Sequence, residues 1–144
     1  MSAQPQQSSL TDNEQRALNA ARDAQARAYA PYSRRRVGAA VVTANGSVFA
    51  GCNVENASDG LGVCAERNAV AAAVAAGRRD FRTVIVVAPD GRLWPPCDHC
   101  RTVLAEFVSD CDVIMASANG AIHRTRLSAI GSRPFDPGDE GASA

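Results

Sequence analysis

Lysine is absent from this chain: all fifteen basic residues are arginines, and fifteen Asp and Glu balance them to a formal net charge of zero. A balanced chain has no global pull toward polyanions, so nucleic acid or an anionic membrane would need a local patch. The run Arg34-Arg35-Arg36 is the densest basic cluster, and a solvated turn ahead of a strand accounts for it as readily. Aromatic residues are also scarce, with two Tyr, one Trp and four Phe. That leaves little platform for stacked bases, and a polynucleotide substrate is disfavoured. No stretch approaches the roughly eighteen apolar residues that cross a bilayer. Residues 1–9 have neither the charged start nor the apolar run of a secretory signal, so the expectation is a cytoplasmic protein without a membrane partner.

What is present fits one globular unit. With 144 residues, 46% hydrophobic and 21% charged, the chain can bury one core but not two of ordinary size. A single domain over 1–144 is expected, with residues 1–10 and 136–144 flexible because they are poor in large apolar side chains. The five cysteines are Cys52, Cys64, Cys97, Cys100 and Cys111. An odd number in a chain of this size argues against a disulfide framework and for metal ligation or burial.

Helix and strand signals alternate. Thr11 and Glu14 have capping-box spacing ahead of a small-residue stripe, which predicts a helix over 12–29 ended by Pro31. Residues 37–43 and 47–50 read as a hairpin around Asn45-Gly46. A long loop over 51–63 follows, and then a helix over 64–76 closed by Gly77. Residues 83–88 form an apolar run expected of a strand covered on both faces. A helix over 98–108, strands over 112–117 and 121–125, and a short turn of helix near 127–130 complete the order. The expected architecture is α/β: a three-layer α/β/α domain around a mixed sheet of about five strands.

Two segments carry chemistry: Cys64-Ala65-Glu66 and Pro96-Cys97-Asp98-His99-Cys100, each at a predicted helix start. Exposed N–H groups at helix starts favour thiolates. Three thiolates can grip zinc and leave its fourth tetrahedral position for water, the arrangement of catalytic rather than structural sites. Arg67, beside the cluster, can donate to sulfur and offset the excess negative charge. Glu66 can take a proton from the water and pass it to a departing nitrogen. Ligand, one residue, Glu, then Pro-Cys-x-x-Cys is the pattern of zinc deaminases, here in its three-cysteine form with Pro96 in place. A structural zinc site would need His99, His123, Cys52 or Cys111 as fourth ligand. Cys52 and Cys111 also read as small buried hydrophobes.

On these motifs, together with Ala30-Pro31-Tyr32-Ser33, Val37-Gly38-Ala39-Ala40 and Gly51-Cys52-Asn53-Val54-Glu55-Asn56-Ala57, the chain resembles the cytidine deaminase family, including blasticidin S deaminases. The resemblance spans residues 22–135 and implies one zinc per subunit and a nucleoside substrate of pyrimidine salvage. It also implies a homotetramer whose sites are completed by neighbouring subunits. It assigns Glu66 as proton shuttle, Asn53 and Glu55 to the ribose hydroxyls, the backbone around Ala65 to the pyrimidine carbonyl, and Phe135 to a neighbouring subunit's site.

Three departures bear on substrate. Arg35 stands where the family usually has a Phe against the base, Asp59 where it has a Tyr, and Asp98-His99 fills the usual small pair between the last two ligands. Arg35, Asp59 and His99 together would line a more polar pocket. Trp94 can cover the site or pack in the core or an interface. The leading expectation is hydrolytic deamination of cytidine or deoxycytidine. The alternatives are blasticidin S or another modified aminopyrimidine or aminopurine nucleoside as substrate, and a zinc-stabilised nucleoside-binding protein without turnover.

Overall fold

The capping box predicted at Thr11 opens the first helix. The structure, a computed structural model, describes residues 10–130. In it Thr11 Oγ1 accepts from the Glu14 N–H at 3.1 Å while Glu14 Oε1 accepts from the Thr11 N–H at 3.0 Å. Helix α1 runs Asp12–Ala26, shorter than the sequence predicts. The reason is that Tyr29 leaves the helix to bridge Val54, accepting from the Glu55 N–H and donating to the Asn53 carbonyl. Of the ends expected to be flexible, 1–10 and 136–144, all but Leu10 lie outside the described residues, as does Phe135.

Strands β1 (Gly38–Thr43) and β2 (Val48–Cys52) form the predicted hairpin. Gly46 takes the positive φ of 86° that the turn requires. β2 runs two residues into the predicted loop, because Gly51 and Cys52 still pair with Ala39 and Gly38. Next come α2 (Ala65–Ala75), β3 (Phe81–Val87), α3 (Asp98–Phe107), β4 (Asp112–Ala116) and β5 (Ile122–Arg126). A short 3-10 turn over Leu127–Ala129 follows where sequence places one.

The sheet order is β2-β1-β3-β4-β5, antiparallel except for the parallel pair β3 and β4. Alternation along the strands divides the core into two. Ala40, Val42, Ile85, Val87 and Ile114 pack on Ala17, Leu18 and Ala21 of α1. Ala39, Val41, Val84, Val86 and Met115 face Ala65, Ala69 and Ala73 of α2 and Leu104 of α3. The expected three-layer α/β/α arrangement with a five-stranded mixed sheet is what the chain adopts. β3 is buried along its length except at Arg82, as its apolar run predicts.

The small residues allow this close layering. A Cβ on Gly38 would lie 2.0 Å from the Ala21 carbonyl oxygen, and one on Gly51 would lie 2.5 Å from the Ala69 nitrogen. These two glycines let α1 and α2 approach opposite faces of the hairpin. α2 leads into β3 and α3 follows it, so both helices run against β3 and start at its carboxyl end, where ligands gather in α/β sheets.

Candidate metal and substrate site

Cys64 and Cys97 are the N-cap residues of α2 and α3, both extended, and neither side chain caps its own helix. A Ser or Asp at an N-cap would turn inward to a backbone N–H. Here the two sulfurs turn toward each other, 3.7 Å apart. Cys100, in the first turn of α3, adds a third sulfur 3.3 Å from that of Cys97. All three lie within 4.8 Å of one another. Tetrahedral zinc with bonds of about 2.3 Å sets its sulfur ligands about 3.8 Å apart, so the three cysteines fit the ion. Among the described residues no histidine, carboxylate or further cysteine joins the group. The rivals for a fourth position are thus elsewhere: Cys111 is buried at the foot of β4 with its thiol pushed up to about 11 by burial, and His99 is exposed.

The sulfurs tune one another. The hydrogen bond from Cys100, with help from Cys97 and Arg67, brings the Cys64 thiol down to about 5. The same bond and burial hold the Cys100 thiol above its ordinary value. Arg67 donates through one terminal nitrogen to the Gly62 carbonyl at 3.1 Å and lies 4.0 Å from the Cys64 sulfur. Burial works against its charge, but the three sulfurs, Cys64 most, outweigh it and hold the Arg67 guanidinium above its ordinary pKa. Arg101 braces the start of α3, donating to the Pro96 carbonyl at 2.6 Å and pairing with Asp98.

Glu66 lies two residues after Cys64 in the first turn of α2 and is 6% exposed. Burial foremost, and the neighbouring Cys64 charge after it, push its carboxyl up to about 7. A group balanced there can both take and give a proton near neutrality. Ala65, between them, is fully buried.

Asn53 and Glu55 are held by the segment before β1. Asn53 Oδ1 accepts from the Val37 N–H at 2.8 Å and its Nδ2 donates to the Arg35 carbonyl at 2.8 Å. Glu55 Oε1 accepts from the Tyr32 and Ser33 N–H groups at 3.0 and 3.1 Å, and Oε2 accepts from the Ser33 hydroxyl. These bonds lower the Glu55 carboxyl, the Ser33 hydroxyl most. Both side chains keep hydrogen-bonding capacity: a second amide hydrogen and a second carbonyl lone pair on Asn53, and the remaining lone pair on Glu55.

The three departing residues do not cluster by direct bonding. Arg35, Asp59 and His99 are all exposed. Arg35 instead lies over the Trp94 ring, 5.7 Å from guanidinium carbon to ring centroid. The bracing roles of Ser33 and Arg101 escaped the sequence reading. Arg101 had a spacing signal, four residues after Cys97; Ser33 had none, since its partner is 22 residues away.

The family model described as the cytidine and deoxycytidylate deaminase zinc-binding region matches residues 11–117. The chain belongs to this family. Its zinc-binding character agrees with the sulfur geometry, and its fold with solved members: the crystal structure of cytidine deaminase from Burkholderia pseudomallei is similar with a TM-score of 0.76 and 42% identity, covering 83% of this chain and 94% of that one. A cytidine deaminase of Halalkalibacterium halodurans is 46% identical over 104 residues, 72% of this chain and 79% of that protein. A blasticidin-S deaminase of Bacillus cereus is 29% identical over 103 residues, 66% of this chain and 73% of that protein. Among the described residues, no helix is long and apolar enough to cross a membrane.

Proposed function

We propose that this deaminase-family chain hydrolyses cytidine or deoxycytidine to the uracil nucleoside and ammonia. The observation that carries the reading is the buried Glu66 carboxyl, balanced near 7, two residues after one of three sulfurs spaced for zinc. Zinc held by Cys64, Cys97 and Cys100 supplies Lewis acidity, which makes water nucleophilic near neutral pH. Glu66 takes a proton from the water that attacks C4 and delivers it to the exocyclic nitrogen, which departs as ammonia. Asn53 and Glu55 use their remaining hydrogen-bonding capacity on the ribose hydroxyls, and the backbone around Ala65 faces the pyrimidine carbonyl. Arg67, Arg101 and the Pro96 carbonyl keep the sulfurs in place.

Arg35 favours a second reading. A guanidinium beside the site, with Asp59 and His99 on neighbouring segments, suits a base or substituent more polar than cytosine, such as blasticidin S or another modified aminopyrimidine or aminopurine nucleoside. Self-association as a homotetramer in the cytoplasm, with Phe135 reaching a neighbouring subunit's site, and a role in pyrimidine salvage belong to the same proposal. Exposed Tyr29, Tyr32, Val54 and Leu61, on segments flanking Glu55, support subunit packing there. Zinc-loaded protein mixed with cytidine should lower the ultraviolet absorbance near the cytidine maximum and release one ammonia per turnover. Turnover of blasticidin S but of neither cytosine nucleoside would select the second reading, and no ammonia from any aminated nucleoside would end both.

A further inference from the structure

Arg22, Arg34 and Arg36 have no part in the proton relay or the ribose contacts, yet they meet around one opening. A cleft of about 550 Å³ is lined by these three arginines together with Gln25, Val87 and Ser117. That volume is in the range of small-molecule sites. Val87 ends β3 and packs on the α1 side of the sheet. The cleft therefore opens at the carboxyl end of the parallel pair β3 and β4, on the face opposite α2 and α3, whose starts carry the sulfurs.

The charge there is uncompensated. No Asp or Glu lines the cleft, and among the described residues no carboxylate pairs with any of the three guanidiniums. In a chain of zero formal net charge, three like charges around one opening are a local feature and create a local positive potential. Arg36 uses Nη1 on the Ala26 carbonyl at the end of α1, at 3.4 Å. The remaining guanidinium donors sit in planar forks that match phosphate oxygens.

The walls are fixed in advance of any ligand. Gln25 Nε2 donates to the Arg36 and Ala88 carbonyls, each at 3.0 Å, and so pins the last turn of α1 to the segment before β1 and to the end of β3. Arg34 has a φ of 62°, the one positive φ outside glycine among the described residues. That conformation is uncommon and costly for an arginine, and it lies in the segment that supplies two of the three guanidiniums.

We propose that this cleft binds a phosphorylated small molecule, its phosphate oxygens gripped by Arg22, Arg34 and Arg36, at a site separate from the three cysteines. The cleft has room for more than one phosphate, and three cations suit a diphosphate, either pyrophosphate or a nucleoside diphosphate. This site goes beyond the deaminase reading and does not depend on it.

Titration calorimetry of zinc-loaded wild type with pyrophosphate and with ADP, at about 0.15 M salt, reads the binding without turnover. A Kd below about 1 mM is expected. Arg22→Gln and Arg36→Gln each raise it about 3- to 30-fold. Arg34→Asn, which tolerates the positive φ, does the same. Arg79→Gln, at an exposed arginine ahead of the amino end of β3, leaves it unchanged. All four arginines are exposed, so the variants keep the fold, which melting temperatures check. Uridine, which has no phosphate, does not displace ADP. Tighter binding of ADP than of pyrophosphate selects a nucleotide, and equal binding selects the phosphate chain alone. Binding of neither anion, wild-type affinity in the three cleft variants, an equal loss in Arg79→Gln, or displacement of ADP by uridine would overturn the proposal. So would a single-stranded oligonucleotide that binds more tightly than ADP and is lost in the same variants, since the cleft would then belong to a polynucleotide track.

Discussion

Cys64 and Cys97 occupy the same station on two different helices, and their sulfurs lie 3.7 Å apart across 33 residues of chain. The residue type at the N-cap explains how: a cysteine has no oxygen to accept from the first-turn N–H groups, neither sulfur caps its own helix, and the two helix starts at the carboxyl end of β3 bring both to one point.

Because the third sulfur, Cys100, is 1% exposed, metal binding and folding are coupled at this point. Cys100→Ala should bind less than one zinc per chain by metal analysis. Chelation should lower the melting temperature of wild type by several degrees, and that of the variant by less. Equal melting temperatures with and without chelator in wild type would contradict a ligand role.

Glu66→Gln keeps the buried volume and removes the transferable proton. The expected result is a loss of about 10²- to 10⁴-fold in kcat with zinc content unchanged. Loss of zinc together with activity would reassign Glu66 to holding the metal.

Glu14 joins the two ends of the described fold, since Arg124 donates to both of its oxygens at 2.6 and 3.0 Å. The hydrogen bond from Arg124 foremost, against the opposing effect of burial, holds the Glu14 carboxyl below its ordinary 4.5. A depressed carboxyl binds fewer protons folded than unfolded, so its stabilisation is present above about pH 4.5 and is lost as pH falls through the folded value. Glu14→Gln retains capping-box geometry and should cost about 1–3 kcal/mol at neutral pH. Below pH 4.5 the difference from wild type should shrink in urea titrations; a constant difference down to pH 3 would exclude this linkage.

Gly51→Ala tests the close approach of β2 to α2. The added carbon would meet backbone at 2.5 Å, and backbone at a helix start cannot give way without moving the sulfur of Cys64. A loss of about 1–3 kcal/mol or more is expected in denaturant unfolding, with weaker zinc retention. Gly77→Ala, where a Cβ would meet nothing within 4 Å but φ is +87°, should leave zinc retention unchanged, since its cost is confined to the backbone.

Much of the fold was legible because its signals are local. The Thr11–Glu14 capping box, the Asn45-Gly46 turn and the apolar run of β3 each report on a few consecutive residues, and each element formed where it was read. The end of α1 was not legible, because Tyr29 is taken from the helix by Val54, a partner distant in sequence. The extent of β2 was hidden similarly, as its last two residues look like loop until Gly38 and Ala39 pair with them.

The sequence by itself determined the donor set: three cysteines and a glutamate at fixed offsets, on helix starts, can do little but grip a soft metal and move a proton beside it. Only the tertiary structure decided what surrounds that chemistry. Ser33 holding Glu55 and Arg35 lying over Trp94 both depend on side chains meeting through space. Such meetings follow from how the layers pack, and no spacing along the chain encodes them.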